Sequence, residues 1–87
     1  MKVRLRIIFI GILAEATSTS IVEYEVEDAR RVADLLSDLL AKYPRLRNVV
    51  NDLPLLNIFI NGRHSSLNDY VKDGDVIVIS PPFYEGG

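Results

Sequence analysis

Two hydrophobic rhythms run through the chain. At the start, Lys2, Arg4 and Arg6 interleave with Val3, Leu5 and Ile7, the period-two pattern of a strand with one buried face. Beyond Ile7 both faces turn apolar, and the pattern predicts that the strand continues to about Leu13. Residues 14–20 are small and polar, as in a turn or loop. Alternation returns at Ile21–Val26, where Val22, Tyr24 and Val26 oppose Glu23 and Glu25. That predicts a second strand pairing back on the first as a hairpin. The period then lengthens: Ala29, Val32, Leu35, Leu36, Leu39 and Tyr43 recur at helical spacing. This helix opens between Asp28, a residue able to cap it, and Val32, and Pro44 stops it. Leu35 and Leu36 both read as core.

Residues 44–54 form a long connection with room for one short helical turn at Leu46–Val50. Leu55–Ile60 is a third strand, closed by the tight-turn pair Asn61-Gly62. Residues 65–71 read as irregular, with Leu67 and Tyr70 tucked under. Asp73-Gly74-Asp75 is another turn and leads into Val76-Ile77-Val78-Ile79, which is apolar on both faces and suits the centre of a sheet. The first strand is its natural neighbour, parallel to it through a crossover that carries the helix. The expected fold is α+β: a ubiquitin-like β-grasp with a mixed sheet of four to five strands packed on one main helix. Residues 1–80 make the domain and residues 81–87 an extended tail.

That arrangement leaves apolar residues over. One helix covers only one face of a sheet, yet the first, third and last strands carry apolar side chains on both. Some subset of Ile8 or Phe9, Ile10, Phe59, and Ile77 or Val78 therefore falls on the helix-free face. Arg4 and Arg6 assign one parity, and a bulge before Phe9 would reverse it. A contiguous exposed patch of this kind marks an interface unless loops or a second copy cover it.

Composition narrows the chemistry. The 87 residues include no cysteine, which excludes disulfides, thiolate metal sites and cysteine nucleophiles. The single histidine, His64, cannot build a histidine metal cluster and is expected in a solvated turn. A net charge of −2 argues against a nucleic-acid partner. Lys2, Arg4 and Arg6, followed by the apolar run at residues 7–13 and by Ala14-Glu15-Ala16, resemble a secretory signal. The run is too short to span a membrane, and its removal would delete the strongest strand of a small domain. The expected location is cytoplasmic, with no membrane partner.

The last two residues, Gly86-Gly87, carry the sharpest hint. Without Cβ atoms they can lie extended in a slot too narrow for other residues, presenting an α-carboxylate to another enzyme's active site. A ragged small-residue terminus is the plain alternative. Taken with Asp73-Gly74-Asp75, the apolar strand and Pro81-Pro82, this ending resembles the C-terminal signature of the molybdopterin-synthase small subunit, MoaD. That group includes the thiamine-pathway sulfur carrier ThiS and the archaeal ubiquitin-like modifiers. Asn61-Gly62 and the helix opening Val32-Ala33-Asp34-Leu35-Leu36 fit the same frame. The resemblance departs in two places: three residues, Phe83-Tyr84-Glu85, separate Pro-Pro from Gly-Gly where two are usual, and Ile12-Leu13-Ala14 stands where Leu-Arg-Glu is common.

The resemblance implies a carrier whose catalytic groups belong to its partners. An E1-like adenylating enzyme would consume ATP to activate Gly87, and the resulting thiocarboxylate would donate sulfur for molybdenum-cofactor synthesis within the synthase large subunit. The chain itself would bind no cofactor and no metal. Pro81 and Pro82 would stiffen the tail's root, and Gly86 and Gly87 would thread a narrow channel. Phe83 and Tyr84 would anchor in a partner, with Phe59 and Ile10 contributing from the sheet. A ubiquitin-like modifier conjugated to lysines through Gly87 and a thiamine-pathway carrier are the alternatives.

Overall fold

The computed structural model describes residues 1–51 and 56–82. In chain order its elements are β1 (Val3–Phe9), α1 (Ile12–Thr17), β2 (Ile21–Val26), β3 (Arg30–Arg31), α2 (Val32–Lys42), α3 (Pro44–Asn51), β4 (Asn57–Ile60), β5 (Arg63–Ser65), β6 (Tyr70–Val71) and β7 (Val76–Ser80). Five strands form one sheet in the order β2-β1-β7-β4-β5, and β3 and β6 form a separate two-stranded ribbon. β1 and β7 lie parallel at the centre, while β2, β4 and β5 join antiparallel. This is the mixed ubiquitin-like β-grasp sheet that the pattern predicts.

The period-two rhythm of β1 settles its parity. Val3, Leu5, Ile7 and Phe9 are buried, as are Ile58 of β4 and Ile77 and Ile79 of β7. They form one cluster with Val32, Leu35 and Leu39 of α2, Leu46 of α3, and Leu13 and Ala16 of α1. Leu36 is only partly buried and stands outside that cluster, so one of the two leucines read as core is not. At about 100° per residue, Leu36 is turned around the helix from the buried Leu35, away from the Val32–Leu35–Leu39 stripe that meets the sheet.

Three local features differ from the sequence expectation. β1 stops at Phe9, because Gly11 takes φ 60 and turns the chain into α1; residues 12–17 are helix where strand and loop were expected. Pro44 does stop α2, which ends at Lys42 with Tyr43 held at φ −120 and ψ 86, outside the helical region that a following proline disfavours. It is also the first residue of α3, eight residues long rather than one turn, a position where a missing N–H costs nothing. The start of α2 takes no cap from Asp28, whose carboxylate lies 3.2 Å from the Met1 ammonium. Its open N–H groups are instead met by backbone carbonyls, Val32 donating to Asp69 at 2.8 Å and Ala33 to Leu67 at 3.0 Å. That pinning leaves Leu67 and Tyr70 outside, 50% and 55% exposed rather than tucked under. The Arg31 guanidinium lies 4.7 Å from the centre of the Tyr70 ring.

Candidate functional site: the helix-free face and the root of the tail

The strand register lays Ile21, Ile8, Val78, Phe59 and His64 in one row across all five strands. None of them belongs to the core cluster or packs against it. Ile21 is 53% exposed, Ile8, Val78 and Phe59 are half-buried, and His64 is exposed. Ile10 extends this face one step further toward the C-terminal ends of β1 and β7. The surplus apolar set is thus Ile8, Ile10, Phe59 and Val78, and Phe9 and Ile77 are core. His64 sits on the edge strand β5, not in a turn, with its ring edge-on to Phe59 at 5.4 Å between centroids.

The other end of the same face is charged. Arg6 meets Glu23 at 2.7 Å, Arg4 meets Glu25 at 3.3 Å, and Lys2 reaches Glu25 at 3.4 Å. These pairs join β1 to β2 and are largely exposed. The face therefore grades from paired charges at the start of β1 to apolar residues where β1 and β7 end.

The tail leaves at that apolar end. Ser80 and Pro81 are buried, and Ile10 donates its N–H to the Ile79 carbonyl at 3.0 Å, keeping β1 and β7 together up to the exit. Of the residues expected to meet a partner, Ile10, Phe59, Pro81 and Pro82 share this region. Phe83, Tyr84, Gly86 and Gly87 lie outside the described residues. Ile8, Ile21 and Val78 belong to the face as well. The alternation of Arg4 and Arg6, carried through to Ile8, is the signal that selects Ile8 over Phe9.

The signature motifs divide between the two ends of β7. Asp73-Gly74-Asp75 and Asn61-Gly62 lie at the far end and hold each other. Asn61 donates its side-chain N–H to Asp75 Oδ1 at 2.9 Å and accepts from the Val76 N–H at 2.9 Å, while Lys72 N–H donates to Asp75 Oδ2 at 2.8 Å. Asp73 accepts the Arg4 N–H at 2.8 Å, tying this turn to β1. Asn61 and Gly62 have φ of 51° and 83°, and Gly74 has 89°, conformations that asparagine and glycine reach most easily. Asp69 nearby is held below the usual carboxylate range by hydrogen bonds from the Ser66 N–H and the Ser65 hydroxyl. These acidic residues build the turns and leave the tail's surroundings apolar. Among the described residues no three potential metal ligands cluster, and no helix is long and apolar enough to cross a membrane.

A β-grasp sheet with one uncovered apolar face beside its C-terminal exit defines the ubiquitin-like class of carriers and modifiers. The ThiS family model matches residues 7–87, and the chain belongs to that family. Comparison with curated proteins gives no match. Among solved structures, the chain is similar to small archaeal modifier protein 1 from Methanosarcina acetivorans, at 29% identity over 100% of this chain and 99% of the other, with a TM-score of 0.77. It is also similar to the Haloferax volcanii protein of that name, at 26% identity over 97% and 99%, with a TM-score of 0.80. It shares its fold, at 24% identity and a TM-score of 0.57 over 97% of each chain, with a protein in the complex of subunits 1 and 2 of molybdopterin-converting factor from Helicobacter pylori.

Proposed function

We propose that this chain is a sulfur carrier that bears its cargo on Gly87. An E1-like enzyme joins the α-carboxylate to ATP as an acyl-adenylate and releases pyrophosphate. A persulfide on a partner then displaces AMP to give an acyl disulfide. A second thiol of that partner attacks the partner-side sulfur, forming a disulfide there and releasing a thiocarboxylate that is a good nucleophile at neutral pH. The tail delivers that sulfur to a pterin precursor in the large subunit of a molybdopterin synthase, and the chain provides docking and reach while the partners provide the catalytic groups. The observation that carries this reading is the apolar face at the tail's exit: one partner can grip Ile8, Ile10, Val78 and Phe59 and receive residues 83–87 in the same encounter. The family match running through Gly87 and the related fold bound to a second converting-factor subunit support it.

The likeness to two archaeal modifiers favours a second reading, in which the activated Gly87 forms an isopeptide bond with a lysine. Both readings begin with adenylation and part at the acceptor. Intact-mass analysis of the chain purified from its own cells separates them. Replacement of one terminal oxygen by sulfur is the expected result, and branched peptides ending in this tail on other proteins would support conjugation. Deleting Gly87 should abolish the sulfur gain without changing the melting temperature. Normal loading of the shortened chain would overturn the proposal.

A further inference from the structure

Asn57, the first residue of β4, holds the root of the tail twice. Its backbone carbonyl accepts the Ser80 hydroxyl at 3.4 Å, and its side-chain amide donates to the Pro82 carbonyl at 3.4 Å. On the other flank Gly11 adopts φ 60 and ψ −128, a combination open to glycine and strained for any L side chain. That corner carries the chain from β1 into α1 directly beside Pro81, so that a Cβ on Gly11 would stand 3.9 Å from the Pro81 ring. The last strand thus remains held for two residues after its ladder ends. Ser80 and Pro81 are buried, and Pro82 is tied at its carbonyl.

We infer that Asn57, backed by the Gly11 corner, is a positioning residue for tail delivery. This rests on the carrier reading above. The clamp sets Pro82 as the pivot, so that only residues 83–87 form the lever. At most about 18 Å can then separate the pivot from the Gly87 carboxylate, at about 3.3–3.6 Å per extended residue. A partner that grips the apolar face must place its reacting centre within that radius. Releasing the Asn57 amide from Pro82 lengthens the lever to residues 82–87, since Pro81 stays buried. By the −3/2 power of length, that alone lowers the effective concentration of the carboxylate by about 1.3-fold. Loss of the set exit direction lowers it further.

Two variants test this: Asn57→Ala, and the near-isosteric Asn57→Asp, which removes the N–H donor and keeps the strand. Carbon relaxation at Pro81 and Pro82 Cα reads the clamp, and sulfur loading of the full chain purified from its own cells reads delivery of Gly87 to the activating enzyme. We expect melting temperatures within about 5 °C of the wild type, nanosecond motion newly present at Pro82, and loading reduced at least twofold. Unchanged relaxation at Pro82 in both variants would overturn the clamp. Motion at Pro82 with full loading would overturn its role in delivery. A wild-type chain carrying no sulfur would count against the carrier reading instead, and relaxation alone would then decide the clamp.

Discussion

On β1, Leu5, Ile7 and Phe9 are sealed against the helices, while Ile8, one residue from two of them, is left half-exposed on the opposite face. β7 repeats the division, with Ile77 and Ile79 inside and Val78 outside. The two faces are similarly aliphatic along these strands, so hydrophobicity by itself does not tell core from interface. What separates them is cover. α1, α2 and α3 all lie on one side, and among the described residues no element packs on the other. A face built of isoleucine, valine and phenylalanine and left open beside the tail's exit is suited to be covered by a partner, and removing such area from water drives association as it drives folding.

Charge substitution at matched positions tests that division most severely. Ile77→Asp places a carboxylate in the sealed cluster, where an unpaired charge costs several kcal/mol against a total stability of about 5–15 kcal/mol. Loss of the cooperative melting transition is expected. Phe59→Asp, on the open face, should melt within about 5 °C of the wild type and lose sulfur loading by about tenfold or more, as for the central residue of an interface. If Phe59→Asp unfolds the domain, the open face is core after all.

The helix offers the same contrast at lower energy. Leu35→Ala empties a site that is 1% exposed and should cost about 2–5 kcal/mol. Leu36→Ala, outside the cluster, should cost about 1 kcal/mol or less, in the range of surface substitutions and their near neighbours. Denaturant titration of the pair measures both. Equal losses would mean that α2 is rotated from the orientation described.

How far these faces could be read from the chain depended on how many residues repeat a pattern. Seven residues of β1 and eleven of α2 sustain a period, and the turn at Asn61-Gly62 is demanded by its positive φ angles; all three were legible. α1 has only six residues, too few for a helical period to emerge after an apolar strand, and it depends on the backbone geometry of Gly11. β3 and β6 have two residues each and show no alternation at all. Pro44 was legible as the stop of α2 but not as the start of α3, because proline both ends helices and begins them. At the exit, Asn57 carries no signal of its own within an apolar strand, since its partners, Ser80 and Pro82, are brought to it only by the β4–β7 register.

At the charged end of the open face, the cross-strand pair Arg6–Glu23 should contribute little. Its side chains are 57% and 67% exposed, and exposed pairs are worth about 0.2–1 kcal/mol. A double-mutant cycle of Arg6→Ala and Glu23→Ala should give a coupling in that range that shrinks in high salt. Coupling well above it would indicate that this end is shielded from water, contrary to an open face.

The smallest effect belongs to Tyr24, which separates the two faces on β2. Its neighbours Glu23 and Glu25 lie on the open side, whereas Tyr24 packs against the core cluster beside α2, with the Lys42 ammonium 5.2 Å from its ring centre. Burial raises its phenol above the ordinary value of 10.0; the Asp38 carboxylate adds to the rise, the Arg30 guanidinium that pairs with Asp38 opposes it, and Tyr43 adds a little more. The folded chain therefore holds this proton more tightly than the unfolded chain does. Stability from that source is complete below pH 10 and is lost as the pH climbs through the folded value, because the unfolded state ionises first. Tyr24→Phe removes the ionisable group, so the difference in stability between wild type and variant should be flat below pH 10 and fall above it. Other tyrosines and lysines titrate in the same range, but they are common to both chains and cancel in the difference. Thermal melts at stepped pH give that difference, and tyrosinate absorbance places the titration. A flat difference throughout would mean that the Tyr24 phenol is as open to water as the glutamates beside it, and that the covered face ends before β2.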